Sequence, residues 1–461
     1  MTRKSSISLR FVVIGAGIAG LSCAYLLQQS GHEVVVLEKQ SRRPENPDGG
    51  LKVPPNMARL LHLFPGTMEM LKEKARMCSG VYFHAGESSK LLGRMIFKEE
   101  IMSDLGSDFY MVAYSDFIAH LYDLCISSGV RIKHGFIAKN VVAPSGSPPV
   151  VVSESGVQIT ADVVVGAEGR NSITRQAVHS EDQESDDDLL EFHIPNGSNG
   201  ATPKTELTRV LAASVTIPIS LMKDDPQLAP LTRDDRFVVW TGNGSSVGTT
   251  CCGGKFVVTY NAHSSGPNDR DLEWDDPAPV STFLERVQDY HPLVRKVARL
   301  AKSSHWTIQV PMDRSSFTNP QNNVVVIGDA AHTLPINTTH SCSAAMEDAV
   351  TFGYLFSHLK SRNQVPLFFN GYNHIRGDRT KQSEELEFDG ISVVSVPPGP
   401  HRDTRDSALG MTLHLEGADD ETLARVWGDY VRAFNYDAVD AVDEWYMNWA
   451  KPLHSTTNSA Y

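Results

Sequence analysis

Three glycines and one acidic residue near the N-terminus have the spacing of a site for nucleotide phosphates. Gly15, Gly17 and Gly20 form the motif Gly-x-Gly-x-x-Gly, and Glu38 follows 18 residues after the last of them. A loop of this kind presents backbone N–H groups to a pyrophosphate, and an acid about 20 residues further on binds a ribose hydroxyl. The pattern predicts a dinucleotide site. The alternative is a tight turn between a strand and a helix that binds nothing.

The residues around this motif have the periodicity that is needed to position it. Residues 11–14 form an apolar, β-branched run that predicts a strand, and residues 34–37 predict a second one. Between them, residues 21–27 predict a helix that ends near Gly31, a residue type common just after a helix C-terminus. Strand, helix, second strand and acid therefore occur in the order that a dinucleotide-binding unit requires.

Two further segments indicate which dinucleotide is bound. Residues 324–327 predict a buried strand that leads into Gly328 and Asp329, then a loop, and then a helix containing Glu347-Asp348-Ala349. Residues 161–165 predict another buried strand, which ends in a glycine-rich turn and a cluster of Arg and Ser at 166–172. FAD and NAD share the N-terminal unit, but an NAD dehydrogenase has no use for the Gly-Asp segment, so the combination favours FAD.

Together the three segments resemble the aromatic hydroxylase class of FAD-dependent monooxygenases, in particular its salicylate hydroxylase-like branch, common in fungal secondary metabolism. Residues 51–60 are similar to the Pro-Pro-Asn helix start of that branch, and residues 427–445 to its C-terminal helix. The resemblance covers almost the whole chain and implies an α/β fold. A Rossmann-like FAD-binding domain (8–77, 108–178 and 305–385) is expected to be interwoven with a smaller β-sheet substrate domain (78–107 and 207–304), before a C-terminal helical segment (386–461).

The resemblance also implies a reaction and a set of contacts. In this class NADPH or NADH transiently reduces the flavin, O₂ adds at the flavin C4a atom, and the hydroperoxide delivers OH to an electron-rich ring. Asp329 is expected at the ribityl chain, and the positive end of the following helix is expected to stabilise the anionic reduced flavin. The residues expected to bind the cofactor are Gly15, Gly17, Gly20, Glu38, Leu51, Tyr114, Asp329 and Cys342.

The loop before the late helix departs from the class pattern. It usually reads Gly-Gln-Gly, but here Thr339, His340 and Ser341 occupy it, so side chains are expected where glycine leaves room for the flavin. His340 is the candidate catalytic acid or base, because imidazole titrates near neutral pH; the alternative is that it fills the loop. Cys342 is either a thiol activated by the helix N-terminus or a small packing residue, which is the favoured interpretation.

Other departures also fall at positions of flavin and substrate contact. Tyr114 replaces an Arg that contacts FAD, Glu168 replaces an Asp, and Ser214 stands where relatives carry an active-site Arg. The glycine motif, Glu38 and Asp329 match the class pattern, so FAD binding is expected to persist. The departures leave more than one reaction compatible with the sequence.

Two functions are compatible with this pattern. The first is an FAD-dependent, NAD(P)H-consuming monooxygenase that acts on an aromatic, polyketide, terpenoid or indole-like intermediate. The second is a flavin-fold enzyme that isomerises or cyclises a biosynthetic intermediate without redox chemistry, with His340 or its neighbours transferring protons. The sequence does not determine the substrate, the regiochemistry, the choice between NADPH and NADH, or the oligomeric state.

Composition limits the partners and the compartment. A net charge of −13 argues against nucleic acid, and the acidic run at residues 181–188 is interpreted as a solvated loop rather than a metal site. The six cysteines have neither Cys-x-x-Cys nor zinc spacing, which is typical of a reducing, cytoplasmic protein. No apolar stretch reaches the length of about 18 residues that a membrane helix needs. A small-molecule partner is therefore expected, with no metal and no membrane span.

Overall fold

The computed structural model describes residues 3–45, 47–178, 209–263, 277–309, 316–332, 334–336, 338–414, 428 and 430–451; the acidic run at 181–188 lies outside them. The strands are β1 (Arg10–Ile14), β2 (Glu33–Glu38), β3 (Gly50–Val53), β4 (Arg76–Met77), β5 (Gly80–Ala85), β6 (Leu91–Ile96), β7 (Tyr110–Ala113), β8 (Arg131–His134), β9 (Ala138–Val142), β10 (Val150–Ser153), β11 (Gln158–Thr160), β12 (Val163–Gly166), β13 (Val210–Pro218), β14 (Arg236–Thr241), β15 (Ser245–Cys252), β16 (Lys255–His263), β17 (Ala278–Pro279), β18 (Ser303–Gln309) and β19 (Val324–Val326). The helices are α1 (Ile18–Gln29), α2 (Pro55–Leu60), α3 (Thr67–Lys74), α4 (Glu99–Asp104), α5 (Tyr114–Ser127), α6 (Thr174–Val178), α7 (Val280–Arg286), α8 (Pro292–Ala298), α9 (Ser341–Ser357), α10 (Val365–Val394), α11 (Pro400–Met411) and α12 (Ala438–Trp445).

A parallel sheet with the order β19-β12-β1-β2-β8 forms the centre of the molecule in the described part of the chain. Its apolar residues are buried on both faces, as expected for strands between layers of helices. Helix α1 begins at Ile18, within the glycine motif, and ends before Gly31, whose φ of +94° is the left-handed conformation that favours glycine after a helix. The predicted strand–helix–strand unit is therefore present.

A second, larger sheet is mostly antiparallel and has the order β17-β18-β13-β16-β15-β14-β5-β6. It has its own apolar core, in which Trp306 and Phe283 are among the most deeply buried side chains. Residues 242–244 join β14 to β15 as a hairpin, closed by a 2.8 Å hydrogen bond from Gly242 N to Ser245 O. The short sheet β3-β7-β4 lies between the two larger ones, because Gly50 of β3 packs against Cys252 of β15.

The mixed α/β architecture with a C-terminal helical segment is confirmed, and two elements span predicted domain boundaries. The segment 305–385 was assigned to the FAD domain, yet its first residues belong to β18, which pairs with β13 in the larger sheet. Helix α10 also runs through the predicted boundary between 385 and 386 without a break. The division into domains therefore stays a prediction.

Within the residues that the structure describes, none of the helices combines the length and apolar character needed to cross a bilayer.

Candidate active site

A cavity with a volume of about 890 Å³ lies at the carboxyl ends of the parallel strands. The chain leaves β1 at Gly15, β2 at Glu38, β12 at Ala167 and β19 toward Asp329, and all of these residues line the cavity. Open parallel sheets bind ligands at this edge, because the loops that follow neighbouring strands converge there. The cavity extends across to the larger sheet, where Ser214 and Thr216 of β13 form part of its wall.

The three motif glycines have three different structural reasons to be glycine. Gly15 has a φ of +101°, and a Cβ there would lie 2.3 Å from the carbonyl oxygen of Ala167. A Cβ on Gly20 would lie 2.0 Å from the carbonyl oxygen of Gly15, so this glycine allows helix α1 to pack against the loop. Gly17 differs, because a Cβ there would meet no atom within 4 Å and would project into open space beside the cavity. That space is the room that a phosphate needs to reach the backbone.

Glu38 stands at the end of β2 and is held by the backbone. Its Oε2 accepts a 2.8 Å hydrogen bond from Ala16 N in the glycine loop, and its Oε1 accepts a 2.9 Å bond from Gln40 N. These bonds fix the carboxylate at the cavity wall beside the loop. The predicted ribose acid and the predicted phosphate loop are therefore brought together.

Asp329 lies in a short 3₁₀ turn after β19 and also lines the cavity. The turn is held by helix α9, because Asp348 Oδ2 accepts a 2.7 Å hydrogen bond from Gly328 N. The same oxygen lies 2.7 Å from Nε2 of His332, which is fully buried. The helix and the strand end are thus one connected unit.

A buried ionic network anchors this unit to helix α10. Arg376 donates from Nε to Asp348 Oδ1 at 2.6 Å and from Nη1 to Glu347 Oε2 at 2.9 Å. Arg379 donates from Nη2 to Glu347 Oε1 at 2.8 Å, and Asn56 of α2 donates to the same oxygen at 2.8 Å. Burial disfavours the charged form of Glu347, but the two arginines outweigh it and hold the pKa of that carboxyl at about 2. The ion pairs of the Glu-Asp-Ala segment therefore hold α9 in place, with its N-terminus at the cavity.

Arg170 in the turn after β12 and Arg175 in helix α6 contact the Asp329 segment, and the sequence pointed only to Arg170, as part of an Arg and Ser cluster. Arg170 lines the cavity, donates from Nη1 to Thr307 Oγ1 at 2.9 Å, and lies 3.8 Å from Asp329 Oδ2. Arg175 donates from Nε to the carbonyl oxygen of Ala330 at 2.9 Å.

Glu168, in the turn after β12, accepts a 2.8 Å hydrogen bond from Ser172 Oγ. Burial raises the pKa of its carboxyl, although hydrogen-bond donors surround it. The extra methylene of Glu168 is thus accommodated within the turn.

The other predicted cofactor contacts, Leu51, Tyr114 and Cys342, all line the cavity. Tyr114 is the first residue of α5, and burial raises the pKa of its hydroxyl well above the usual value, so it is a neutral donor. Burial likewise raises the pKa of the Cys342 thiol to about 12, and the charge of Asp329 adds to this. A raised pKa disfavours the thiolate, so it supports the interpretation of Cys342 as a small packing residue, which stays a prediction.

The atypical loop fills less of the cavity than the sequence suggested. Thr338 and Ser341 line the cavity, but the Thr338 hydroxyl donates to the carbonyl oxygen of Pro335 at 2.6 Å. His340 is not among the residues that line the cavity; its Nδ1 lies 2.7 Å from Glu387 Oε1, and its ring stacks on Phe434 with centroids 5.7 Å apart. The imidazole is 1% exposed and directed toward α10. A direct catalytic role of His340 stays a prediction without support from this geometry.

The part of the cavity wall that the larger sheet forms carries polar residues, of which the sequence predicted only Ser214. Ser214 of β13 lines the cavity, whereas Thr249 and Thr250 of β15 are buried outside it. His305 of β18 pairs with Ser214 across the sheet and lines the cavity with it. Lys52 of β3 also lines the cavity and is only 6% exposed. Pairing between distant strands brings these residues together, so no local pattern could have identified them.

The residues present fit FAD. The open space beside Gly17 suits a pyrophosphate, and the fixed carboxylate of Glu38 suits a ribose hydroxyl. Asp329 and the N-terminus of α9 line the same cavity further along, where a ribityl chain and a flavin ring would lie. The cavity volume of about 890 Å³ lies within the range of about 300–1,000 Å³ that is typical of cofactor and ligand sites.

Comparison with known proteins points in the same direction. The model of the FAD-binding domain family matches residues 9–386. The FAD-dependent monooxygenase OpS4 of Beauveria bassiana is 24% identical over 449 residues, which cover 94% of this chain and 96% of that protein. Hispidin-3-hydroxylase of Neonothopanus nambi is 24% identical over 436 residues, which cover 91% and 97%. A crystal structure of CtdE in complex with FAD and a substrate has a TM-score of 0.73 at 17% identity, covering 97% of this chain and 100% of that one, which shows a shared fold.

Proposed function

The chain belongs to the FAD-binding domain family, and on that premise we propose that it is an FAD-dependent monooxygenase consuming NADPH or NADH. Its proposed substrate is a small natural-product intermediate of aromatic, polyketide, terpenoid or indole type. The observation that carries the proposal is the single cavity lined by the glycine loop and α9 on one side and by the larger sheet on the other. Such a cavity can hold a flavin and a substrate side by side. The resemblance to FAD-dependent monooxygenases that the sequence predicted is confirmed by the relatives.

The residues of this chain bind and orient, whereas FAD when bound supplies the redox chemistry with O₂. The glycine loop binds the pyrophosphate through backbone N–H groups, and Glu38 holds the ribose. The N-terminus of α9, with its unpaired N–H groups and positive dipole end, stabilises negative charge that develops on the ring. Arg170 lies beside Asp329 on the cavity wall and adds a second positive charge there. The buried walls limit the access of water, which suppresses side reactions of reactive intermediates.

The names of the relatives support the substrate class. One relative is named a hispidin hydroxylase and another an FAD-dependent monooxygenase, both from fungi and both matched along almost their full length. We infer that this chain likewise acts on a small molecule. We also propose a cytoplasmic location, since all six cysteines are buried free thiols, which fits a reducing compartment.

The isomerase or cyclase alternative is not favoured. It depended on proton transfer by His340 or its neighbours, and the imidazole of His340 faces Glu387 rather than the cavity. The loop that replaces Gly-Gln-Gly also keeps the N-terminus of α9 at the cavity, since Ser341 and Cys342 still line it.

The test begins with the visible spectrum of the purified protein, which we expect to show bound flavin. The protein is then mixed anaerobically with NADPH or NADH, with and without a small-molecule extract of the producing organism. We expect the flavin band to bleach, and the return of O₂ to yield a product heavier by one oxygen atom, labelled from ¹⁸O₂. A flavin that neither nicotinamide bleaches under any of these conditions would overturn the proposal. Unlabelled product formed without O₂ would instead favour the isomerase alternative.

A further inference from the structure

Glu387 of helix α10 places a buried carboxylate against the N-terminal end of helix α9, and it is not among the described residues that line the cavity. Its Oε1 accepts a 2.5 Å hydrogen bond from the backbone nitrogen of His340, the residue that immediately precedes α9. The same oxygen lies 2.7 Å from Nδ1 of His340. Two donors thus converge on one oxygen, which is the arrangement of a charge-assisted hydrogen bond.

The helix end that Glu387 contacts is also the one that reaches the cavity. Ser341 and Cys342, the first two residues of α9, both line the cavity. The positive charge of a helix N-terminus resides on the N–H groups of its first turn. The carboxylate held at His340 and any negative charge that develops in the cavity beside Ser341 therefore lie at the same helix end, where they repel each other.

The charge of Glu387 has opposite effects on the helix and on the cavity. A negative charge at its N-terminus stabilises α9, but it is unfavourable to a second negative charge nearby. Burial strengthens the repulsion, because the protein interior screens charges less than water does. Neither the protonation of His340 nor the charge of Lys52, which interacts with Glu387, changes the direction of this effect. Removal of the carboxylate charge makes the surroundings of the cavity more positive in every case.

We propose that Glu387 is a positioning residue that acts through the N-terminus of α9 and lowers the reduction potential of the bound flavin. This inference rests on the proposed monooxygenase function. Hydride transfer from NADPH or NADH to the neutral oxidised ring gives an anionic reduced ring and an oxidised nicotinamide. Glu387 disfavours the anionic form relative to the neutral one, which makes the reduced flavin a stronger electron donor to O₂. A side chain outside the cavity thus adjusts the balance between the two half-reactions.

The experiment measures the midpoint potential of the FAD-loaded full chain against a reference dye, in the wild type and in Glu387→Gln and Glu387→Met. The amide of the first variant keeps the size of the side chain and an acceptor oxygen, and both variants remove the charge. We expect the ratio of the dissociation constants of oxidised and reduced FAD to rise by about 3- to 30-fold, the range for a charge at a helix N-terminus. For a two-electron couple this is a positive shift of about 14 to 44 mV.

Three further variants distinguish the charge from the packing of the side chain. Glu387→Asp keeps the charge and should keep a potential close to that of the wild type. Glu385→Gln makes the same chemical change at an exposed position of α10 and should leave the potential unchanged. His340→Gln disrupts the same contact from the other side but keeps the carboxylate, so the potential should not rise.

The possible results separate this inference from the proposed function. A potential that stays the same or falls in the FAD-loaded neutral variants overturns the role of Glu387, and so does an equal rise in His340→Gln, because loss of the contact would then be the cause. Loss of FAD from both neutral variants would show that the carboxylate only maintains the fold, which also overturns it. A wild-type protein that carries no FAD contradicts the proposed function itself.

Discussion

The backbone nitrogen of Gly328 donates a 2.7 Å hydrogen bond to Oδ2 of Asp348, although the two residues lie on different elements of the fold. Gly328 begins the short 3₁₀ turn that carries Asp329 to the cavity, and Asp348 lies within α9. Because Arg376 holds the other oxygen of the same carboxylate at 2.6 Å, the position of Asp329 depends on helix α10 as well. The geometry of the cofactor site is therefore set by a buried network outside it.

Removing the Asp348 carboxylate should lower both stability and flavin content. Asp348→Ala leaves Arg376 with one carboxylate partner fewer in a fully buried position and leaves Gly328 N–H unpaired. We expect a loss of about 3–5 kcal/mol in the free energy of unfolding, the usual cost of breaking a buried ion pair from one side. Urea denaturation and the ratio of FAD to protein measure the effect. The exposed pair of Asp123 with Arg43 provides the control, since Asp123→Ala should cost less than about 1 kcal/mol.

Two glycines of the same motif should respond differently to substitution. A Cβ at Gly17 meets no atom within 4 Å and its φ of −82° suits any residue, so Gly17→Val should leave the unfolding free energy of the FAD-free protein nearly unchanged. The added side chain would occupy the phosphate space and weaken FAD binding by about 1–3 kcal/mol, or about 5- to 150-fold. Fluorescence titration with FAD measures this loss.

Gly20→Ala is the contrasting variant. A Cβ there would lie 2.0 Å from the carbonyl oxygen of Gly15, so the fold itself should be destabilised and Tm should fall with or without FAD. Gly390→Ala, at an exposed helical position with open space, should have no harmful effect on either quantity. Equal loss of stability in Gly17→Val and Gly20→Ala would contradict the assignment of the phosphate space.

Substitution of His340 should affect stability rather than catalysis. His340→Gln removes a buried partner of Glu387, and we expect a loss of about 1–3 kcal/mol in unfolding free energy. The pH profile of NADPH oxidation should keep the shape of the wild-type profile, because the imidazole does not line the cavity. His62→Gln, at an exposed position, is the matched control. Loss of one limb of the pH profile in His340→Gln alone would restore the acid–base role predicted from the sequence.

The free energy of unfolding should change with pH as Lys52 titrates. The pKa of its ammonium falls from 10.5 to about 8 on folding, so between these values the unfolded chain binds a proton that the folded chain has released. Stability contributed by this group therefore rises with pH across that window, with a slope of at most about 1.4 kcal/mol per pH unit. Below about pH 8 both states are protonated, and the cost of burying the charge is fully present.

Lys52→Met removes this contribution, so the variant should be more stable than the wild type near pH 7 and lose that advantage between pH 8 and 10.5. Urea denaturation of both proteins across this range gives the difference, in which the titration of the tyrosines and cysteines cancels. A difference that does not change with pH would show that Lys52 is not desolvated as described.

The sequence determined the features that depend on neighbouring residues. The glycine motif, Glu38 and the strands on either side were predictable because a βαβ unit is local. The strand before Asp329 and the Glu-Asp-Ala helix were predictable for the same reason. From these local units the cofactor class and the fold class followed.

Only the tertiary structure decided where the remaining side chains point. His340 turns toward Glu387, 47 residues further along the chain, and no local pattern specifies that pairing. Lys52, Ser214 and His305 come together on one wall because strands from distant parts of the chain lie side by side. Periodicity assigns a residue to a face of its own element. The contacts between elements, which maximise burial and pair the buried charges, then determine which of those faces form the site.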